Sequence, residues 1–332
     1  MHWSLKRIGQ SILTAVGVIT ITFALIRFLP GGPMRALLAQ LAQEDQSSDI
    51  DRLEGRMETM LGFNPNEPLL NQYVDYVSGL IQGDLGMSLW YDGPVAEILA
   101  TALPWTVFVM LTALLINFVG TILLGAMMAY KEGGRFDLIA TTYSLTLSSI
   151  PYYIIGLILI FVLAIKFPIF PSGGRMPNDV TPGLNTAFVF GIIYHATLPI
   201  VSFAFTRMGR AITMRANSIQ ILGEDYVRVS KLRGLPTSRI ATRYVGWNAI
   251  LPLYTGIMIG IGVAFGGSVI LEVIFSYPGV GYYMFEAIQY RDYPLMMGGF
   301  LIITLSVVFG LFVADLTYGL IDPRIRTKNE GQ

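Results

Sequence analysis

Six stretches of this chain are long, apolar and free of charge at their centres: Ile8–Leu29, Pro104–Ala129, Leu138–Ile165, Ala187–Phe205, Ala249–Leu271 and Leu295–Gly319. A helix needs about 20 mostly apolar residues to cross the hydrocarbon core of a bilayer. Within that core each backbone N–H and C=O must be paired inside the protein, and a helix pairs them within its own segment. The expected fold class is therefore an all-α polytopic membrane protein with six transmembrane helices. Charged residues make up only 13% of the chain, about half the roughly 25% that covers a soluble domain. The first stretch exceeds a signal-peptide core of about 7–15 residues, and Leu29-Pro30-Gly31-Gly32 is not a small-x-small cleavage site, so it reads as a retained span.

Lysine and arginine set the orientation. With the N-terminus inside, the cytoplasmic loops hold Lys6, Arg7, Lys131, Arg135, Arg207, Arg210, Arg215, Arg228, Lys231, Arg233, Arg239, Arg243, Arg324, Arg326 and Lys328. The opposite side holds Arg35, Arg52, Arg56, Lys166, Arg175 and Arg291, which is six against fifteen. Both termini are expected in the cytoplasm. The expected organisation is residues 1–103 as a first span plus an extracytoplasmic segment, 104–320 as a five-helix core, and 321–332 as a cytoplasmic tail. Within the extracytoplasmic segment, Asp49 suits the cap of a helix carrying Ile50, Leu53, Met57, Met60 and Leu61, with Gly62 beyond its end. Pro68 suits the start of a second, carrying Leu70, Tyr73, Val74, Val77, Leu80 and Ile81 before Gly83.

Several function classes lack their residues. There is no cysteine, and His2 and His195 are the only histidines, so no thiolate, disulfide or zinc site is expected. Lys plus Arg equals Asp plus Glu at 22 each, which gives no bulk attraction to nucleic acid. No lysine follows a glycine, so the chain has no Walker A loop and any ATP-driven step must draw on another chain. Neither a Gly-x-Ser-x-Gly elbow nor a His-Glu-x-x-His motif occurs, and no catalytic residue is expected. The spans carry no central acid or base to mark an ion path, which disfavours a coupled secondary carrier. His195 lies mid-span, either as a neutral histidine hydrogen-bonded inside the bundle or as a pathway residue.

The most informative loop is Gly223 through Gly234: Gly223, Glu224, Asp225, Tyr226, Val227, Arg228, Val229, Ser230, Lys231, Leu232, Arg233 and Gly234. Acids in the first turn and bases in the last match the helix dipole. Gly234 suits a left-handed terminal residue and Pro236 prevents continuation. Ser238 could then cap a further helix leading into the fifth span. So short a helix is not stable alone in water. It is either a connector on the membrane surface or a contact for a cytoplasmic partner. In the fifth span Gly256, Gly260, Gly262, Gly266 and Gly267 include two Gly-x-x-x-Gly spacings. These fit close helix packing within the subunit or a crossing with a partner near the pathway.

This loop resembles the signature loop of prokaryotic ABC importer permeases. Arg228-Val229-Ser230 stands where the general pattern has Glu-Ala-Ala, and Leu251-Pro252 comes later than usual. Both features are similar to the dipeptide/oligopeptide/nickel branch, which Asp225 through Leu235 matches. The likeness extends to Arg7, Phe23, Arg27 and Leu29-Pro30-Gly31, to Gln72-Tyr73 and Gly83-Asp84-Leu85-Gly86-x-Ser88, and to Glu272-x-x-Phe275-Ser276-x-Pro278-Gly279-x-Gly281. Ala287, Arg291-Asp292-Tyr293-Pro294 and Ile321-Asp322-Pro323-Arg324-Ile325-Arg326 continue it. The resemblance implies a type I ABC importer permease fold and a half-pore in the cell membrane. It implies a homologous second permease, two ATPase subunits or domains and an extracytoplasmic solute-binding protein as partners. ATP and magnesium would sit on the ATPases, with no cofactor on this chain. The coupling helix near 223–235 would act as a stiff lever whose polar face meets the ATPase. Di- or oligopeptides are the expected solute, with oligosaccharide or nickel chelate as alternatives. A stand-alone secondary carrier or channel is the reading from another class.

Overall fold

In a computed structural model the chain is described over residues 2–28, 67–177, 179–183, 185–236, 239–264 and 267–321. The expected helix after Asp49, the Leu29-Pro30-Gly31 motif, the Ser238 cap, Gly266 and the tail from Asp322 lie outside these residues. The helices are α1 (His2–Phe28), α2 (Leu69–Gln82), α3 (Val95–Tyr130), α4 (Arg135–Ser149), α5 (Tyr152–Leu159) and α6 (Thr186–Thr206) in the first part of the chain.

 They continue with α7 (Ala211–Leu222), α8 (Asp225–Leu232), α9 (Trp247–Ala264), α10 (Val269–Ile274), α11 (Val280–Tyr290) and α12 (Tyr293–Ile321). Among the described residues there is no strand, only an isolated bridge between Met87 and Pro94. Four helical runs, Ile8–Leu25, Val95–Tyr130, Thr186–Leu222 and Tyr293–Val313, are long and apolar enough to cross a membrane. The bent pair Arg135–Ser149 and Tyr152–Lys166 makes a fifth if it is taken as one span.

Three of the expected runs differ in detail. The stretch Leu138–Ile165 is broken, because α4 stops at Ile150 and α5 (Tyr152–Leu159) leaves at 95° before a wide π-helical turn over Ile160–Lys166. Ile150 is extended (φ −98°, ψ 124°), as expected for a residue whose α conformation clashes with the ring of the following proline. The second run begins earlier than its apolar window, at Val95 rather than Pro104. Val95, Leu99 and Ala102 are fully buried, so tertiary packing extends the helix. The stretch Ala249–Leu271 is helical over Trp247–Ala264, and Val269–Ile274 forms a separate short helix.

The chain divides into two compact units. The first comprises residues 1–107, 265–273 and 278–332. Its core joins Val95, Leu99 and Ala102 of α3 to Val280 and Ala287 of α11 and Leu295 of α12. A Cβ on Gly298 would stand 2.5 Å from Val95 Cγ1, and one on Gly299 2.6 Å from Met284 Cγ, so this contact is too close for any larger residue. Phe23 of α1 packs edge-on against Tyr73 of α2, with ring centroids 5.4 Å apart. The second unit comprises residues 108–264 and 274–277. There Met128, Ala140 and Ala211 form one cluster, and Met214, Ala249 and Leu253 another. Asp137 takes Arg215 in a two-point ion pair at 2.6 and 2.7 Å, which ties α4 to α7.

Candidate functional site

The short helix expected after Gly223 forms as α8. Glu224, extended at φ −69° and ψ 144°, precedes it, and its side chain makes no capping bond. Asp225 lies in the first turn and Lys231 in the last, each at the helix end that favours its charge. The C-terminal end is a Schellman motif. Leu235 N donates to Ser230 O at 3.3 Å, Gly234 N donates to Lys231 O at 3.0 Å, and Gly234 has φ +68°. A left-handed residue at that position lets two otherwise unpaired carbonyls be satisfied, and glycine adopts it without steric cost.

One side of α8 is anchored. Val227 is fully buried and packs with Ile240, against partly buried Ile221, Leu222, Leu235 and Tyr244. Ser230 is buried too, and its hydroxyl donates to Tyr226 O at 2.7 Å. Asn248 Nδ2 donates to Tyr244 O at 2.8 Å and reaches the Tyr226 hydroxyl at 3.5 Å. Partial desolvation and the nearby Glu224 carboxylate raise the Tyr226 phenol above its ordinary value, so it is neutral at physiological pH.

The other side is open, and apolar residues stand among the charges of the polar face expected there. Tyr226, Val229 and Leu232 are exposed, Leu232 at 81%. At 100° per residue, Val229 and Leu232 fall on the side opposite Val227. Glu224, Asp225, Arg228, Lys231 and Arg233 are exposed around them, and none enters an ion pair among the described residues. Gly223 is exposed at the end of α7, with Glu224 N donating to Ile221 O at 3.1 Å to make the sharp entry. An apolar stripe rimmed by unpaired charges of both signs is the composition of a protein contact, with a dry centre and a polar rim.

The glycines of the fifth apolar stretch separate into different settings. A Cβ on Gly260 would meet Leu114 Cδ1 at 2.9 Å, and one on Gly256 would sit 3.6 Å from an Arg210 nitrogen, so both face neighbours in the same chain. Gly262 lies within α9, while Gly266 is outside the described residues. Gly267 is not helical; it has φ +71°, and a Cβ there would stand 3.0 Å from Glu272 Oε1. His195 is bonded inside its own helix, Nδ1 to Gly191 O at 2.8 Å, which fits the structural alternative for this residue.

Two polar joints in the first unit give chemistry to motif residues that had none assigned from the sequence. Glu272, 1% exposed, accepts from the Thr106 hydroxyl at 2.9 Å and from Tyr282 N at 3.0 Å. Thr106 Oγ1 in turn accepts from Val280 N at 2.9 Å. Gly279, which precedes α11, has no side chain to cap it, and Thr106 and Glu272 take that role from other elements. A Cβ on Gly279 would stand 2.5 Å from Glu272 Oε2, and one on Gly281 3.0 Å, which explains the glycines of this motif. The Glu272 carboxyl group thus lies at the N-terminus of α11, the helix end that carries partial positive charge. In the second joint Asp292, fully buried, accepts from Ser88 Oγ at 2.5 Å, Trp90 N at 3.1 Å and Leu295 N at 3.1 Å. It caps α12 and fastens the loop before α3. In the sequence Asp292 stands only within the Arg291-Asp292-Tyr293-Pro294 motif; its role as a cap and its pairing with Ser88 come from the fold.

The comparisons with known proteins agree with these motifs. Residues 121–327 match the family described as binding-protein-dependent transport system inner membrane component. The chain is 33% identical to the di/tripeptide transport system permease protein DppB of Pseudomonas aeruginosa, over 97% of each chain. It is 28% identical to the dipeptide transport system permease protein DppB of Escherichia coli, over 99% of each. To the oligopeptide transport system permease protein AppB of Bacillus subtilis it is 31% identical, over 97% of this chain and 98% of that one.

Proposed function

Since the chain belongs to the binding-protein-dependent transport system inner membrane component family, we propose that it is the half-pore of an ATP-driven importer of di- and oligopeptides in the bacterial inner membrane. Relatives spanning nearly its whole length are dipeptide and oligopeptide permeases. In this reading six helices cross the membrane with both termini in the cytoplasm, and a homologous second permease completes the pathway. A solute-binding protein delivers the peptide from outside, and two ATPase subunits bind ATP and magnesium.

The observation that carries the coupling role is the two-sided character of α8. Val227 and the Schellman turn hold it to its own unit, while Val229, Leu232 and the surrounding charges remain unpartnered. A helix fixed on one side and docked on the other passes a movement of its partner to the helices behind it as a rigid body. Such coupling requires the contact to differ between two states of the transporter. Opening the pore then follows from closure of the ATPase pair, with no chemistry on this chain.

The test is to purify the tagged chain from native membranes in mild detergent beside Leu232→Asp. The wild type should bring down a second permease and ATPase chains. The variant should keep the second permease and lose about tenfold of the bound ATPase, as removal of a central contact residue does. A wild-type chain that elutes alone even after crosslinking would sink the importer reading and favour a stand-alone carrier.

A further inference from the structure

The first unit carries one acidic side chain framed by aromatic rings that neither the coupling role nor the two buried joints use. Glu286, on α11, accepts from the Tyr282 hydroxyl through Oε1 at 3.0 Å and from the Tyr91 hydroxyl through Oε2. Tyr283 lies edge-on to both tyrosines, with centroids 5.3 Å from Tyr91 and 5.9 Å from Tyr282. Beside them Trp90 and Tyr290 stack face to face at 3.6 Å, with planes 4° apart. Tyr91, Tyr290 and Trp90 are 37%, 43% and 54% exposed, so solvent-borne groups can reach the rings.

The charge on this site is not balanced. Burial and the Glu286 carboxylate push the Tyr282 phenol up to about 12 and raise that of Tyr91 as well, so both remain neutral donors. No lysine, arginine or histidine pairs with Glu286 among the described residues. An ionised carboxylate has about four lone-pair positions, and the two phenols fill one on each oxygen. The remaining positions suit a group that can donate hydrogen bonds and carry positive charge. Tyrosine and tryptophan rings attract such a group through their faces. The frame is also built in advance, because Asp292 fixes Trp90 through its backbone N–H.

We propose that Glu286, with Tyr91, Tyr282, Tyr283, Trp90 and Tyr290, is a binding station for the α-ammonium group of the transported peptide. This rests on the peptide-importer reading and adds to it a recognition chemistry on the permease itself. A free peptide carries an α-ammonium below about pH 8, and a charge-assisted hydrogen bond to a carboxylate is about twice as strong as a neutral one. The station holds the terminus common to all unblocked peptides and leaves their side chains unread. It thus suits a pathway that must pass many sequences.

The test uses the assembled transporter in detergent, without its binding protein, and follows saturation transfer to tri-alanine and to N-acetyl-tri-alanine. The wild type should transfer to the free-amine peptide and far less to the acetylated one. Glu286→Gln should cut the free-amine signal about fivefold to tenfold, the loss of one charge-assisted contact, while Glu97→Gln, an exposed control, leaves it unchanged. Ethylammonium should displace tri-alanine from the wild type and ethanol should not, a measurement that needs no variant. Equal signals from both peptides, no change in Glu286→Gln, or no displacement by ethylammonium would overturn the proposal. So would an unchanged probe signal with a raised half-saturating concentration of binding protein for ATPase stimulation, since Glu286 would then contact the partner's surface. Absence of peptide uptake by the wild type in proteoliposomes would instead count against the importer reading, and is measured separately.

Discussion

Helix α8 and the joint around Glu272 are both small, yet they are held by opposite means. The anchor of α8 is local: Val227 meets Ile240, and the terminal turn closes between Ser230 and Leu235. The Glu272 joint is assembled from afar, with Thr106 receiving the N–H of Val280 across 174 positions. A segment held by near neighbours can move as a body without unfolding its unit. A joint that supplies a helix N-terminus from two other elements cannot open without leaving buried polar groups unpaired. The comparison predicts that substitutions at Glu272 act on stability and those on α8 act on coupling.

The largest effect is expected at Glu272. Replacement by leucine leaves Tyr282 N and the Thr106 hydroxyl without their acceptor, and each buried unpaired group costs about 1–3 kcal/mol. A combined loss of about 2–6 kcal/mol follows, measured as a fall in the thermal aggregation midpoint of the detergent-solubilised chain. Thr106→Val should lose less, and the pair should be strongly non-additive because they share one network. Additive losses would show that the network is not a unit.

Asp292 comes next. Asp292→Ala removes an acceptor for Ser88, Trp90 and Leu295, and loss of a cap together with buried bonds costs about 2–4 kcal/mol. Limited proteolysis of membrane vesicles should show new cleavage between Gly83 and Pro94, with α8 untouched. Cleavage at α8 in the same variant would break the separation between the two regions.

How far each region could be read from the amino acids follows the same division. Helix α8, its charge order and its left-handed Gly234 were legible because dipole, glycine and proline rules act within a few residues. The apolar runs were legible from length alone, but length says nothing of the 95° break beside Pro151. The start of α3 at Val95 depends on partners in α11 and α12 that its own residues do not announce. The outward apolar stripe of α8 was missed because alternation of charged and apolar residues in a short helix does not say which side is anchored. Motif spacing marked Glu272, Gly279 and Asp292, yet their partners Thr106 and Ser88 lie far away in the chain. Glu286 belonged to no motif and emerged only when Tyr91 was brought beside it.

Within α8 the expected effects are smaller and divide by side. Val227→Ala removes apolar area from a closed cluster and should cost about 1–3 kcal/mol. The coupling it transmits should fall with it, since a loosened anchor lets the helix yield to its partner. ATP hydrolysis stimulated by the binding protein should therefore drop even where assembly is retained.

The smallest change is expected at Gly234, and it separates backbone from contact most cleanly. A Cβ there meets nothing within 4 Å, so only the left-handed conformation at φ +68° resists substitution. Alanine in that conformation costs about 1–2 kcal/mol, while asparagine tolerates it better through local hydrogen bonding. Gly234→Ala should thus lower stability slightly and Gly234→Asn by less, with the order of ATPase stimulation following the same sequence. If asparagine and alanine are equally impaired while stability is unchanged, the glycine is needed for close approach of a partner. The Schellman turn would then be part of the contact surface as well as the end of the helix.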